Sequence, residues 1–110
     1  MEKFVKGDVV VIPFPFSDLS ESKRRPACVI TALEGDDLIL CQITSRNLVD
    51  KYSIIIQDSD FLIGSLKLIS NARPNRLFTA DKALILYRIG RLSDTKITEI
   101  TDKIVEIVRN

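Results

Sequence analysis

The sequence predicts a small, strongly curved, mostly antiparallel β-barrel or half-barrel closed by one C-terminal helix. Three observations carry that reading. Short β-branched runs recur along the chain between polar turns, an isoleucine stripe at helical spacing occupies only the last segment, and 110 residues make one domain's worth of chain. With 45% apolar and 28% charged residues, the composition is that of an ordinary globular protein. Every apolar run is much shorter than the roughly 20 residues that a membrane span needs, and no basic-then-apolar leader opens the chain, so the expected compartment is the cytoplasm.

The first strand is expected from the run Val9 to Ile12 that follows the turn signal Gly7-Asp8. Pro13 and Pro15 predict that it ends, or becomes a sheet edge, near Pro13. Phe14 and Phe16 can line a ligand groove or pack at the rim. Ser17 to Lys23 has the composition of a loop, with Asp18, Ser20, Glu21 and Ser22 available for contacts.

Lys23-Arg24-Arg25-Pro26 then leads into the apolar run Ala27 to Thr31, which concentrates cations where a loop enters a strand. Such a cluster suits phosphate or carboxylate, and it also suits a solvated loop. A third strand is expected over Leu38 to Thr44. If Glu34-Gly35 is a two-residue hairpin turn, Cys28 faces Cys41 and Arg25 faces Thr44. One face then carries Cys28, Ile30, Ile39, Cys41 and Ile43, and the other Arg25, Ala27, Val29, Leu38, Leu40, Gln42 and Thr44. The cysteine pair reads as a reduced contact in the core.

Tyr52 to Gln57 forms a further short strand ended by Asp58-Ser59-Asp60, whose acids read as a turn rather than a metal site. Another strand region is expected from Gly64 to Ile69, running on, broken, through Asn71 and Arg73 to Phe78 with a bend or bulge at Pro74-Asn75. In a strictly extended chain Arg73 and Arg76 would point to opposite faces. The later half of Ala83 to Ile89 reads as the last strand. Ser93 is an expected N-cap with Asp94 in the first turn, and Ile97, Ile100, Ile104, Ile107 and Val108 define the buried stripe of a helix of about four turns.

The chemistry is narrowed by what is missing. The chain has two cysteines and no histidine, so histidine acid/base catalysis, the usual nucleophilic triads and His-ligated metal are excluded. A guanidinium beside a hydroxyl remains available, and it can hold a phosphate between a charged donor and a neutral one. RNA supplies its own nucleophile in the 2'-hydroxyl, so stabilising the phosphorane and moving protons suffice to cut it. That chemistry puts Arg25 on the nonbridging oxygens with Thr44 as a second donor. The same pair can hold phosphates in a noncatalytic module where phenylalanines stack on bases.

Gly7-Asp8-Val9-Val10-Val11, Arg24-Arg25-Pro26-Ala27-Cys28-Val29-Ile30, Cys41-Gln42-Ile43-Thr44-Ser45, Ser70-Asn71-Ala72-Arg73-Pro74 and Ile89-Gly90-Arg91-Leu92-Ser93 follow one another as in the MazF/PemK toxin endoribonucleases. The chain resembles that family over nearly its whole length, as a single toxin domain across residues 1–110. The resemblance implies an SH3-like barrel of the type shared by MazF and the gyrase poison CcdB. It further implies a cytoplasmic homodimer that cuts single-stranded RNA, including mRNA, without metal or cofactor. The implied products carry a 2',3'-cyclic phosphate and a 5'-hydroxyl. It also implies a cognate antitoxin whose acidic C-terminal segment fills the RNA groove.

Residue by residue, the family's catalytic arginine falls on Arg25, its threonine on Thr44 and its loop serine on Ser20 or Ser22. The implied RNA contacts are Lys23, Arg24, Phe14, Phe16, Glu21, Gln42, Ser45, Arg46, Arg73 and Arg76. One departure stands out: Leu19-Ser20-Glu21-Ser22-Lys23 lacks the loop glycines common in the family, which implies a stiffer loop. The alternative is a noncatalytic toxin-fold protein that binds nucleic acid or inhibits a protein such as gyrase.

Overall fold

The computed structural model describes residues 3–15, 22–47 and 50–110, the side chains of Pro15 and Ser22 excepted. Seven antiparallel strands make one curled sheet: β1 (Asp8–Pro15), β2 (Ser22–Ala32), β3 (Asp37–Thr44), β4 (Ile54–Ile56), β5 (Phe61–Gly64), β6 (Ser70–Asp81) and β7 (Tyr87–Leu92). Their order across the sheet is β4-β6-β3-β2-β1-β7-β5. An α-helix, α1 (Asp94–Arg109), follows. This is the SH3-like, half-barrel architecture with a terminal helix that the sequence predicts.

Both faces of the sheet are buried, and strand alternation assigns the residues. Val9, Cys28, Cys41, Ile43, Ile56, Ala72 and Leu92 form one core with Ile97 and Ile100 of α1. Phe4, Val10, Ile12, Ala27, Val29, Leu38 and Leu40 form the second, with Phe78 and Ile85 against it. The two sides expected for the β2–β3 hairpin thus separate into two cores.

The expected two-residue turn is corrected. Leu33 N–H donates to the Asp37 carbonyl at 3.0 Å, so Glu34, Gly35 and Asp36 turn the chain, with Gly35 at φ 80°. A bulge between Val29 and Thr31 absorbs the extra residue, and Cys28 still faces Cys41. β1 continues to Pro15, yet β7 pairs with it only from Asp8 to Val11, so Pro13 and Pro15 sit where one side of β1 has no ladder neighbour.

The strand expected from Gly64 is also corrected. β5 ends at Gly64, and residues 65–69 leave the sheet because Gly64 (φ 77°) and Lys67 (φ 64°) are both left-handed. Ser70 then opens β6. The bend at Pro74 is a wide bulge: Cys41 faces Leu77 while Gln42 faces Arg73, which leaves Pro74, Asn75 and Arg76 outside the ladder.

At the last turn of the chain, the Ser93 hydroxyl oxygen accepts the Lys96 N–H at 3.3 Å and caps α1. Lys96 Nζ reaches the Ile55 carbonyl at 3.0 Å and Glu99 at 2.9 Å, tying the first helical turn to β4. The apolar stripe is covered at Ile97 and Ile100, and it emerges into solvent at Val108, 75% exposed.

Candidate functional site

Alternation along β2 puts Lys23 and Arg25 on the side of the second core, because Ala27 and Val29 lie there. Arg25 is directly opposed to Ile12 of β1, a member of that core. On β3 the same side carries Leu40, then Gln42 and Thr44. Gln42 faces Ala27 across the hairpin and Arg73 across the other edge of β3, while Thr44 faces Asn71. Carrying the Ala27–Gln42 register two residues further sets Arg25 opposite Thr44. Arg25, Gln42, Thr44 and Arg73 therefore belong to one side and one end of the sheet, where the second core runs out.

Their environments differ. Thr44 is buried, at 9% exposure, and its Oγ1 accepts the backbone N–H of Arg46 at 3.2 Å. One of its two lone pairs is thereby occupied, and the hydroxyl proton remains as a donor. Asn71, 6% exposed, donates from Nδ2 to the Arg46 carbonyl at 2.9 Å. Arg25 and Arg73 are half-buried, and the buried Nε of Arg73 makes no hydrogen bond among the described residues. Arg73 also attracts Asp50, whose carboxyl is held below its usual range chiefly by the backbone N–H groups of Ser53 and Tyr52.

Phe14 packs edge-to-face on Phe78, with ring centroids 5.0 Å apart and planes at 88°, on the same side as Arg25. Arg24 alternates to the opposite face. Ser45 and Arg46 are exposed just past β3, and Arg76 is exposed within the β6 bulge. Phe16, Ser20 and Glu21 lie outside the described residues, and Ser22 is described by its backbone only. Asn71 and Asp50 were not among the predicted site residues; for Asn71 the available signal was its position two residues from Arg73, hence on the same side of β6.

Cys28 and Cys41 lie on the other side, fully buried. Burial pushes the Cys28 thiol up strongly, with Cys41 and Asp8 adding to it, and pushes the Cys41 thiol up to about 12 against a weaker lowering by the Arg73 backbone N–H. Both are protonated packing groups, not nucleophiles. Among the described residues no group of three or more cysteine or carboxylate side chains converges as a metal site, and no helix is long and apolar enough to cross a membrane.

A curled antiparallel sheet followed by a terminal helix, with Arg25, Thr44 and Arg73 on one side and one end of it, is a small SH3-like barrel domain. The profile of PemK-like, MazF-like toxins of type II toxin-antitoxin systems matches residues 5–108, and the chain belongs to that family. Among solved structures, it is similar to an endoribonuclease from a mycobacterial species in complex with its cognate antitoxin. That match has a TM-score of 0.77 at 11% identity over 96% of this chain and 95% of that one. It also resembles MazF in a MazE–MazF crystal structure from Deinococcus radiodurans (TM-score 0.75, 15% identity, 94% of each chain). A third similar structure is Mycobacterium tuberculosis toxin MazF-mt6 (TM-score 0.67, 12% identity, 91% of this chain and 96% of that one). At these identities the structural likeness speaks for the fold. No curated protein sequence matches the chain.

Proposed function

We propose that the protein is an endoribonuclease toxin that cleaves single-stranded RNA by transphosphorylation, needs no metal, and is neutralised by a cognate antitoxin. The observation that carries this reading is the shared side and end of the sheet occupied by Arg25 and Thr44, in a family of toxins and in a chain without histidine.

In the proposed reaction the RNA 2'-oxygen attacks phosphorus and the bond from phosphorus to the 5'-oxygen breaks. The 2'-hydroxyl proton leaves with a base, and the 5'-oxygen takes up a proton. Arg25 sets its guanidinium against the nonbridging oxygens, where charge develops, and shares in proton transfer. The Thr44 hydroxyl donates to the same phosphate. Gln42, Arg46 and Arg73 extend the polar rim along the strand, Lys23 and Arg24 add charge ahead of Arg25, and Phe14 offers a ring to a base. Ser20, Ser22 and Glu21, in the loop before Arg25, are the proposed additional proton-handling and contact groups.

The titles of the similar structures, an endoribonuclease with its antitoxin and a MazE–MazF complex, support the partner assignment. An acidic antitoxin segment on this cationic rim would exclude RNA, and a homodimer is the proposed assembly.

The test is cleavage of mixed-sequence single-stranded RNA in EDTA by purified wild type and Arg25→Ala, with product ends identified. Cuts leaving cyclic phosphate and 5'-hydroxyl ends, made by wild type alone, are expected. Folded wild type that cuts none of a varied set of RNAs would refute the enzyme reading and favour a binding or protein-inhibiting toxin.

A further inference from the structure

The backbone of Arg46 is gripped at both of its polar groups by two residues that face each other across strands. Its N–H goes to Thr44 Oγ1 at 3.2 Å, and its carbonyl takes the Asn71 Nδ2 hydrogen bond at 2.9 Å. Thr44 and Asn71 are directly opposed on β3 and β6, and both are buried. Arg46 itself lies beyond the end of β3 and is exposed, so no ladder bond holds it there.

A threonine hydroxyl rotates about its C–O bond and can both donate and accept. When the Arg46 N–H occupies an oxygen lone pair, the hydroxyl proton is steered away from that N–H. The Arg46 N–H lies in the peptide group before its Cα and the Arg46 carbonyl in the one after it, so the Asn71 bond to that carbonyl restrains Arg46 from its far side and, through the Arg46 backbone angles, holds the N–H on the Thr44 oxygen.

Resting on the endoribonuclease reading above, we infer that Asn71 is a positioning residue for Thr44. By holding the Arg46 carbonyl, it keeps the Arg46 N–H on the Thr44 oxygen and commits the Thr44 hydroxyl proton to the substrate phosphate. The same grip places Arg46 as the first cation past Thr44. Asn71 touches neither RNA nor the reacting atoms in this scheme, and its effect passes entirely through Thr44 and Arg46.

The experiment is a cycle of RNA cleavage measurements on wild type, Asn71→Ala, Thr44→Val and the double variant, with kcat and KM separated and folding checked by circular dichroism. Asn71→Ala is expected to lower kcat about tenfold with little change in KM, the scale of a misplaced catalytic group. In the Thr44→Val background the same substitution is expected to cost less than about twofold, because the hydroxyl it positions is gone.

Asn71→Asp, nearly the same size, covers the case in which the alanine variant folds poorly. Its carboxylate meets a carbonyl and cannot donate, so kcat is low at pH 8. As the pH falls and the acid is protonated, it donates again, and the deficit relative to wild type narrows. Equal fold-losses from Asn71→Ala in both backgrounds, a change in thermal stability alone, or a pH-independent deficit in Asn71→Asp would each overturn the inference. Absence of cleavage by folded wild type overturns the endoribonuclease reading itself, whereas wild-type cleavage with additive losses overturns only the role of Asn71.

Discussion

Arg91 Nε meets Asp8 Oδ1 at 2.8 Å between directly opposed positions of β7 and β1, and Arg88 Nη2 approaches the other carboxylate oxygen at 3.2 Å. Asp8 is fully buried, and its Oδ2 also accepts the Val5 N–H at 2.9 Å. Two sequence signals of the family, Gly7-Asp8 and Gly90-Arg91, are therefore one structural unit that joins the start of β1 to β7. Arg91→Ala would leave the buried carboxylate with Arg88 and one N–H. Breaking a buried pair costs ~3–5 kcal/mol, and the partial exposure of Arg91 argues for the low end. A lower urea midpoint is expected from Arg91→Ala and from Asp8→Ala, with RNA cleavage by the folded fraction unchanged. A cleavage defect at full stability would contradict the structural assignment.

Gly64 and Gly90 are directly opposed where β5 lies on β7. A Cβ on Gly90 would collide with the Ile63 carbonyl oxygen and sit 3.0 Å from Gly64 Cα, so the obstacle is backbone and cannot swing aside. Gly90→Ala is therefore expected to push β5 off the sheet edge and lower stability by ~1–3 kcal/mol, the usual cost of overpacking. Hydrogen exchange should show loss of protection concentrated in β5 and β7, with β2 and β3 spared. Uniform loss across the sheet would mean that this contact is not local.

These two glycines also show where sequence reading stops. The membership of both cores on β2 and β3 was legible, because side chains alternate with period two and the hairpin carries a clean pattern. The predicted turn was one residue short, and the Cys28–Cys41 pairing survived only because the Ile30 bulge takes up the difference, a compensation no local signal announces. Leu66, Leu68 and Ile69 suggested a strand that the left-handed backbone at Gly64 and Lys67 forbids. At the site, Arg25 beside Pro26 and Thr44 were marked by type and motif. Asn71 stands inside one of the family runs but carries no role there, since its place in the site depends on a hydrogen bond to a carbonyl 25 residues away.

Arg25→Lys should not restore function. An ammonium is a point charge on a flexible stem, whereas two nonbridging oxygens are matched by the planar guanidinium fork. A loss on the order of 100-fold in kcat is expected, comparable to removing one preorganised donor from an oxyanion site. Thr44→Ser, which keeps the hydroxyl, should retain far more activity than Thr44→Val. Near-wild-type cleavage by Arg25→Lys at saturating RNA would mean that charge alone suffices and that the fork has no special role.

Cys28 and Cys41 are expected to make the fold sensitive to alkali. Both thiols are raised by burial, Cys41 to about 12, from an ordinary value of 9.0. Up to about pH 8, a unit below the ordinary value, the folded and unfolded chains both hold these protons, so the pair contributes almost no pH dependence there. Above it the unfolded chain releases them while the folded chain keeps them, and stability must fall as pH rises. The slope from each thiol approaches ~1.4 kcal/mol per pH unit until the folded thiol itself ionises. Thermal melts from pH 7 to 11 should therefore show a steep alkaline decline in wild type. Cys28→Ala/Cys41→Ala should start from a lower melting temperature because of the cavities it leaves, yet decline more gently. The same burial predicts that a thiol reagent at pH 8 labels the protein no faster than it unfolds. Full labelling of native protein on a faster timescale, or parallel alkaline declines in the two proteins, would show that these thiols reach solvent without unfolding.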